Sequence, residues 1–405
     1  MSFFRNIFGR APILPNTTIS TGGLFSFLFK SDGSVGSVNS DSALRHTAVY
    51  SCVQAITDSL AVVSLNLYER KDGGKTKATQ HPLYRILKFS PNEMHTRFDY
   101  IRMVYQDILL RGNHYSQIVR NGKNEIIGLY PLHPDNMQVK IRQNGKIVYI
   151  YKKGDKQYAL LQNEIFHLKG LPNPDDRGLT GVNPIEYNRK SIKLSMVTEQ
   201  FGINFFENGA NGTGVLTHPG TLSDEAFERL RKSFKEKYQG VKNSGKPLIL
   251  EENMKYERLS LSNEDSQFLD TRRFQKAEIA ALFKVPLYML GDMSKSTFNN
   301  MEQMSINFVQ NTLLPHAVNF ELAVYKYLLN EDEKDKYYAK FNLNTLMRGD
   351  FETRTNGYRT LVNIGALTPN EVRKLEDFDL KGNEADELYM QMNMTTLKRI
   401  TNGKN

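Results

Sequence analysis

Few stretches of this sequence place residues at a spacing that chemistry would need, and the nearest is GVKNSGKP at residues 240–247. Gly240, Gly245 and Lys246 reproduce G-x4-G-K, the spacing at which a glycine-rich loop wraps phosphate and a lysine reaches it. The next position must offer magnesium a hydroxyl, and Pro247 has none. The motif also needs a strand before it and a helix after it; here the order is reversed, so the loop reads as a lysine-bearing turn. The eight histidines form no H-E-x-x-H helix and no closely spaced ligand set. Asp175 and Asp176 are adjacent, so their side chains diverge. Cys52 is the only cysteine, which excludes an intramolecular disulfide and a cysteine-rich metal site. It has no His or Asp in a catalytic pattern beside it and reads as a packing residue. The scattered Ser, His and Asp residues carry no triad signature. No cofactor is expected.

With 405 residues, 24% of them charged and 40% hydrophobic, the chain has room for two or three domains around sizeable cores. The start MSFFRNIFGR lacks the apolar core and cleavage site of a secretory signal. No apolar run is long enough for a membrane-spanning helix. The net charge of +9 sits toward the front: residues 43–180 hold twenty Lys and Arg against twelve Asp and Glu, whereas 181–209 hold three of each. There is no dense basic block, so the excess reads as lysines scattered over a solvated surface.

Periodicity supplies the elements that would position a site. Residues 1–42 mix Phe-rich pieces with the run SDGSVGSVNSDS and read as a flexible N-terminal arm. From Ala43 to Ser64, Val49, Val53, Ile56, Leu60 and Val63 recur at spacings of three and four, which predicts an amphipathic helix. Asn66 to Arg70 reads as a strand before the turn KDGGK, and Arg97 to Leu110 as a second helix. Residues 113–169 alternate short segments with turn chemistry at Asn121, Asn144 and Gly154. Asn-Gly supplies the positive φ of tight hairpins, so an antiparallel meander is predicted there. The region is an α+β domain.

At Gly178 the pattern changes. Pro184 near a helix start and the glycines after Asn208 bracket a helix of about 25 residues, roughly 38 Å long. Leu194, Val197, Phe201 and Phe205 form its apolar stripe. Val215 to Thr217 reads as a short strand. Ser223 reads as the N-cap of a helix whose first turn carries Asp224 and Glu225, and Phe227, Leu230, Phe234 and Tyr238 as that helix's buried face. Strand candidates at Pro247–Leu250 and Lys255–Leu261 precede a helix opened by Ser262 or Asn263 and stopped by Pro286. The polar loop GDMSKSTFNN leads to a long helix from about Asn300 to Leu329, predicted to kink at Pro315.

Taken in order, LLRGNHYSQIVR, GLYPLHPDNMQV, GLTGVNPIEY, FFENGANGTGVLTHPGTLSDEAFERLRKSF, DSQFLDTRRFQKAEIAALFKVPLYMLGD, STFNNMEQMSINFVQNTLLP and NLNTLMRGD resemble the portal protein family of tailed bacteriophages related to phage HK97. The resemblance spans about residues 43–380. It implies a portal-like α+β fold and a ring, usually dodecameric, around an axial channel for double-stranded DNA. It implies a wing at 43–181, a first stem helix in 182–211, a clip at 212–262, a second stem helix in 263–290 and a tunnel loop at 291–299. Residues 300–349 would supply a long kinked wing helix and a return strand, 350–380 an outer wing or reduced crown, and 381–405 a C-terminal tail.

Carried onto these positions, the resemblance implies that Asp292, Met293, Ser294, Lys295, Ser296, Thr297, Phe298 and Asn299 face DNA. Leu194, Val197, Phe201, Phe205, Arg272 and Arg273 would lie at the stem and subunit interface. Phe227, Arg231, Lys235, Tyr238, Lys242 and Lys246 would present the clip for docking. The implied partners are further copies of the chain, double-stranded DNA, the large terminase subunit, the major capsid protein and a head–tail connector or adaptor protein, with no membrane. The implied place is the portal vertex of the virion, after assembly in the bacterial cytoplasm.

Elementary physics is compatible with this. A closed ring joins two different patches of each subunit head to tail. A channel that passes DNA should not grip it, and residues 263–298 hold five basic and five acidic residues. A structural conduit that hydrolyses nothing is the first expectation. The alternative, motivated by the +9 charge, is a monomeric or dimeric basic nucleic-acid-binding module; a hydrolase built on 240–247 is the third.

Overall fold

The structure, a computed structural model, describes residues 37–71, 74–207, 214–238, 253–258, 264–294, 298–346, 351–376 and 378–389. These fall into two compact units: a smaller one, Ile192–Arg272, and a larger one made of Asn39–Ser191 and the residues from Arg273 on.

The larger unit opens with α1 (Ser40–Leu44), capped by the Asn39 side chain, which accepts from Ser42 N at 2.7 Å. Ser40 is buried and donates to the Leu110 carbonyl at 2.8 Å. The arm expected over 1–42 therefore gives way to packed structure at Asn39; residues 1–36 lie outside the described ones. Next, α2 (Thr47–Val62) replaces the helix expected over 43–64, with Arg45 and His46 separating it from α1. Its predicted stripe, Val49, Val53, Ile56, Leu60 and Val63, is buried throughout. Then come β1 (Leu65–Lys71), β2 (Gly74–Lys77), α3 (Pro82–Lys88) and α4 (Arg97–Arg111). Helix α4 starts in a reciprocal cap between Thr96 and Asp99 and stops at Gly112, whose φ of 76° is left-handed.

Residues 113–169 are antiparallel, as alternation predicts, but make two sheets rather than one meander. They comprise β3 (Asn113–Arg120), β4 (Ile126–Leu132), β5 (Met137–Ile141), β6 (Ile147–Lys153), β7 (Lys156–Leu161) and β8 (Ile165–Lys169). Strand β8 returns to pair with β3, giving the orders β4-β3-β8 and β5-β6-β7. Tyr115, Met137, Tyr149 and Ile165 form a shared core between them. Gly145 and Gly154 take positive φ as their turns require; in the first hairpin Asn124, not the Asn121-Gly122 pair, is the left-handed residue. The Asn121 carboxamide oxygen accepts from Lys123 N and Glu125 N and so shapes that turn from its side chain.

The path onward is fixed by backbone contacts too close for any Cβ. A Cβ on Gly112 would lie 1.8 Å from the Val182 oxygen, and one on Gly181 2.1 Å from the Gly112 oxygen. Asn113 clasps Gly181 from both sides, donating to its carbonyl at 2.8 Å and accepting from its N–H at 2.7 Å. Asn183 then caps α5 (Pro184–Tyr187) through Ile185 N and Glu186 N. The single long helix expected here is instead α5 and α6 (Arg189–Glu207), interrupted at Asn188, whose amide donates to the Pro184 carbonyl at 2.8 Å. The Asn188 N–H donates to the same carbonyl at 3.2 Å, so one residue closes α5 with both its backbone and its side chain.

In the smaller unit, β9 (Gly214–Thr217) pairs antiparallel with β10 (Lys255–Arg258), and α7 (Asp224–Tyr238) lies between them in sequence. Ser223 caps α7 by accepting from Ala226 N at 3.3 Å, as predicted. The buried face expected on α7 is a correction: Phe227 is exposed, and Leu230 and Phe234 are half-buried. A two-stranded ribbon offers too little apolar surface to cover a four-turn helix. The loop 240–247 and the strand expected at Pro247–Leu250 lie outside the described residues.

Helix α8 (Glu264–Leu282) ends before a left-handed Lys284 and Pro286. After the loop come α9 (Phe298–Phe308), a wide π turn (Val309–Leu313) and α10 (Leu314–Tyr327). The predicted irregularity is real, but it lies in the turn just before Pro315. That residue has no N–H to give to the preceding turn, and the ladder widens to accommodate it. Strand β11 (Tyr337–Phe341) adds to β1, Leu65 opposite Phe341. Phe320 on α10 meets Phe166 and Phe341 at 5.5 Å between ring centroids, tying β8, α10 and β11 into one aromatic core. The last α-helices among the described residues are α11 (Phe351–Asn363) and α12 (Pro369–Leu375). The tail expected after Leu380 is anchored at its start: buried Asn370 binds the Lys381 backbone and Asp386.

Gly112→Ala forces both a strained φ and a backbone overlap, so a loss of about 3 kcal/mol or more is expected. The exposed, unobstructed Gly74→Ala should change stability by less than about 1 kcal/mol. Urea unfolding of the two variants measures the difference.

Candidate channel and docking segments

The residues expected at the stem interface divide by environment. Leu194, Val197 and Phe201 sit three and four apart on α6 and are 56%, 41% and 58% exposed, so one face of this helix is apolar and wet. Phe205 lies on the same helix, with its side chain outside the described ones. Arg272 on α8 reaches Glu199 on α6 at 3.8 Å, a solvated pair that marks the two helices as neighbours, and Arg273 is exposed. No spacing rule links Glu199 with Arg272; only the fold reveals the pair.

The loop after α8 is built from its backbone. A 3-10 turn, Leu287–Leu290, ends at Gly291 with φ 79°, and Lys276 donates to the Leu290 carbonyl at 2.7 Å. Asp292 accepts from Ser294 Oγ at 2.6 Å and from Ser294 N at 3.1 Å. The hydroxyl bond first, then the backbone bond, holds this carboxyl below the usual carboxylate range. Met293 is 57% exposed. Lys295, Ser296 and Thr297 lie outside the described residues. Phe298 and Asn299, expected in the loop, open α9 instead, and the described part of the loop is 291–294. Tyr288 and Ser305 bond at 2.7 Å across its base.

Among the expected clip residues, Phe227 is exposed and Arg231 pairs with Glu228 one turn back at 3.3 Å, a solvated contact of little energetic weight. Lys235 and Tyr238 belong to α7, with their side chains outside the described ones, and Lys242 and Lys246 are outside altogether.

Tertiary structure also assembles a triad that spacing did not signal. Asp107 Oδ2 lies 2.8 Å from His114 Nδ1, and His114 Nε2 lies 2.8 Å from Ser116 Oγ. This is the geometry of an activated serine. Yet His114 and Ser116 have zero exposure, and Tyr100 caps Ser116 Oγ at 2.9 Å. No substrate carbonyl has a path to that oxygen, and the relay is a structural polar core. Burial pushes the Cys52 thiol up to about 12, far from the thiolate a nucleophile needs. Among the described residues no His, Cys, Asp or Glu cluster is arranged for a metal. Asp176 turns to Thr180 N at 2.9 Å, away from any joint site with Asp175.

A third buried polar group, His167, is locked neutral. Its Nε2–H donates to Asn113 Oδ1 at 3.1 Å and its Nδ1 accepts from the Tyr149 hydroxyl at 3.3 Å. Burial, then the nearby Lys169 charge, lowers its pKa to about 3.

An α+β unit, a small strand-and-helix unit, an exposed apolar helix face and sealed polar groups suit a structural assembly protein. Residues 47–377 match the family model described as phage portal protein, and the chain belongs to that family. It is 30% identical over 371 residues to the portal protein of Enterobacteria phage HK97, covering 90% of this chain and 85% of that one. The fold matches an HK97-family phage portal protein from Corynebacterium diphtheriae with TM-score 0.55 at 15% identity, over 76% of this chain and 96% of that one. It also matches a chain from the neck of an empty gene transfer agent particle with TM-score 0.58 at 22% identity, over 84% and 94%. The protein is a phage virion component that forms a portal ring for DNA packaging, which decides against a monomeric or dimeric nucleic-acid-binding module. No helix among the described residues is long and apolar enough to cross a membrane.

The lowered His167 pKa sets a sign for acid stability. Unfolded His takes a proton near 6.5 and the folded one only near 3, so the unfolded state binds more protons between these values. Stability from His167 is complete above pH 6.5 and is lost as pH falls toward 3, by at most about 1.4 kcal/mol per pH unit. His167→Gln, which keeps a donor but does not titrate, should shrink the stability difference between pH 7 and pH 4.5 by about 2 kcal/mol; urea unfolding at both values measures this.

Proposed function

We propose that this chain forms a dodecameric portal at one capsid vertex, with α6 and α8 as stem helices, 291–297 as the loop facing double-stranded DNA, and the α7 unit as the clip. The clip docks the large terminase subunit during packaging and the head–tail connector afterwards, and the larger unit meets the major capsid protein. The protein hydrolyses nothing itself. The observation that carries the reading is the exposed apolar face of α6: Leu194 and Val197 remain wet in the single subunit, and a second copy of the chain supplies the surface that buries them. The segment 263–298, with five basic and five acidic residues, suits transient rather than tight contact with DNA.

Electron microscopy of the purified protein should show closed rings with a central hole about wide enough for B-DNA. Leu194→Glu with Val197→Glu should abolish the rings while leaving the unfolding midpoint of the monomer within the range of surface substitutions, about 0.5 kcal/mol. Rings that persist in this variant would remove the α6 face from the interface. Deleting 292–297, with a Gly-Ser bridge, should leave rings intact but cut nuclease-protected DNA in a packaging reaction at least about tenfold. Loss of rings would mean that the loop belongs to assembly.

A further inference from the structure

The positive charge of the larger unit is concentrated rather than scattered. Across β5, β6 and β7, residues 137–158 carry Lys140, Arg142, Lys146, Lys152, Lys153 and Lys156 against a single carboxylate, Asp155. All six cations are exposed, and none is ion-paired among the described residues. The other basic hairpin in the unit is a useful contrast. On β1 and β2, Lys71 pairs with Glu69 at 3.5 Å, Arg70 lies over the Tyr338 ring and reaches the Asp335 carbonyl, and Lys75 lies over Tyr68. Each of these three cations has a partner within the chain, whereas the six on β5–β7 have no ion pair among the described residues.

We infer that the solvent face and both tips of the β5-β6-β7 sheet form a second contact surface for the phosphate backbone of double-stranded DNA, separate from the loop 291–297. The registers Lys140↔Val148 and Lys152↔Gln157 place Lys140, Lys152, Gln138 and Gln157 on the face opposite Tyr149 and Tyr151, which pack inward. Arg142 and Lys146 stand at one tip and Lys153 and Lys156 at the other. The length of β6 separates the tips by about 20 Å, roughly six base pairs of duplex at about 3.4 Å each. A stiff duplex with charges at fixed spacing engages both tips together, whereas an acidic peptide must be ordered to do so. The face offers an apolar partner little: Val148 is buried, Ile150 half-buried, and Leu161 is its one large exposed apolar side chain. Amides and cations without an apolar centre suit sequence-independent backbone contact.

The inference takes from the portal reading only that DNA is present, and it is tested separately from ring formation. Binding of a fluorescent 30-base-pair duplex to the full-length protein is followed by anisotropy between about 50 and 300 mM salt. Two tip variants, Lys152→Gln/Lys153→Gln/Lys156→Gln and Lys140→Gln/Arg142→Gln/Lys146→Gln, are compared with Arg70→Gln/Lys71→Gln/Lys75→Gln on the β1–β2 hairpin, whose cations have partners within the chain. Each tip variant should weaken binding at least about tenfold at low salt and reduce the log–log salt slope by about two to three, since each lost phosphate contact removes about 0.9. The hairpin control should change neither. Unchanged binding in both tip variants, or equal loss in the control, overturns the inference, as does polyglutamate competing as well as duplex DNA at equal charge. Ring counts by electron microscopy on the same samples keep a failure of assembly distinct from a failure of this surface.

Discussion

The clasp of Asn113 around Gly181 is the constraint on which the rest of the larger unit depends. One carboxamide satisfies the N–H and the carbonyl of Gly181 and also receives the His167 ring proton, so three buried polar groups are paired by one side chain. This is possible only because Gly112, Gly170 and Gly181 let three backbone segments approach without side chains between them; Gly170 N donates to the Gly112 carbonyl at 2.8 Å. The clasp joins the end of α4, the start of β3, the end of β8 and the segment that launches α5. The direction in which the chain leaves the sheet is thereby set by hydrogen bonds in a dry place, where misalignment is costly.

Polar chemistry in this protein is spent on architecture. The Asp107–His114–Ser116 relay has the distances of a hydrolytic site, but Tyr100 and the surrounding core close it, and its effect is to pin α4 against β3. Distances alone do not make a nucleophile; access does. Conversely, Leu194 and Val197 on α6, Met293 after Gly291 and the β5–β7 cations are exposed. A machine part that must assemble and let DNA slide keeps its rigid polar contacts inside and its weak, solvated ones outside.

What was legible from residues was whatever depends on neighbours in sequence. The α2 stripe from Val49 to Val63, the Ser223 cap, the left-handed glycines at 145 and 154, and the disturbance next to Pro315 all follow from local sterics and period, and all stand in the fold. The expectations that shifted lie at element boundaries: Asn188 ends α5 inside the single helix expected there, Asn124 takes the left-handed turn position, and α9 starts at Phe298, two residues early.

The sequence by itself determined most of the helices and strands along the chain and, through its ordered motifs, the family. Tertiary structure alone decided the pairings that span long loops: β1 with β11 across more than half the chain, β8 back to β3, Arg272 with Glu199, and the sealed Asp–His–Ser relay. It also decided which cations find a partner within the chain, and it gathered on the β5-β6-β7 sheet six that have no ion pair among the described residues. The reason is physical. Helical period and turn preference are properties of a few adjacent residues, whereas burial and charge pairing depend on which distant segments the shared core brings together.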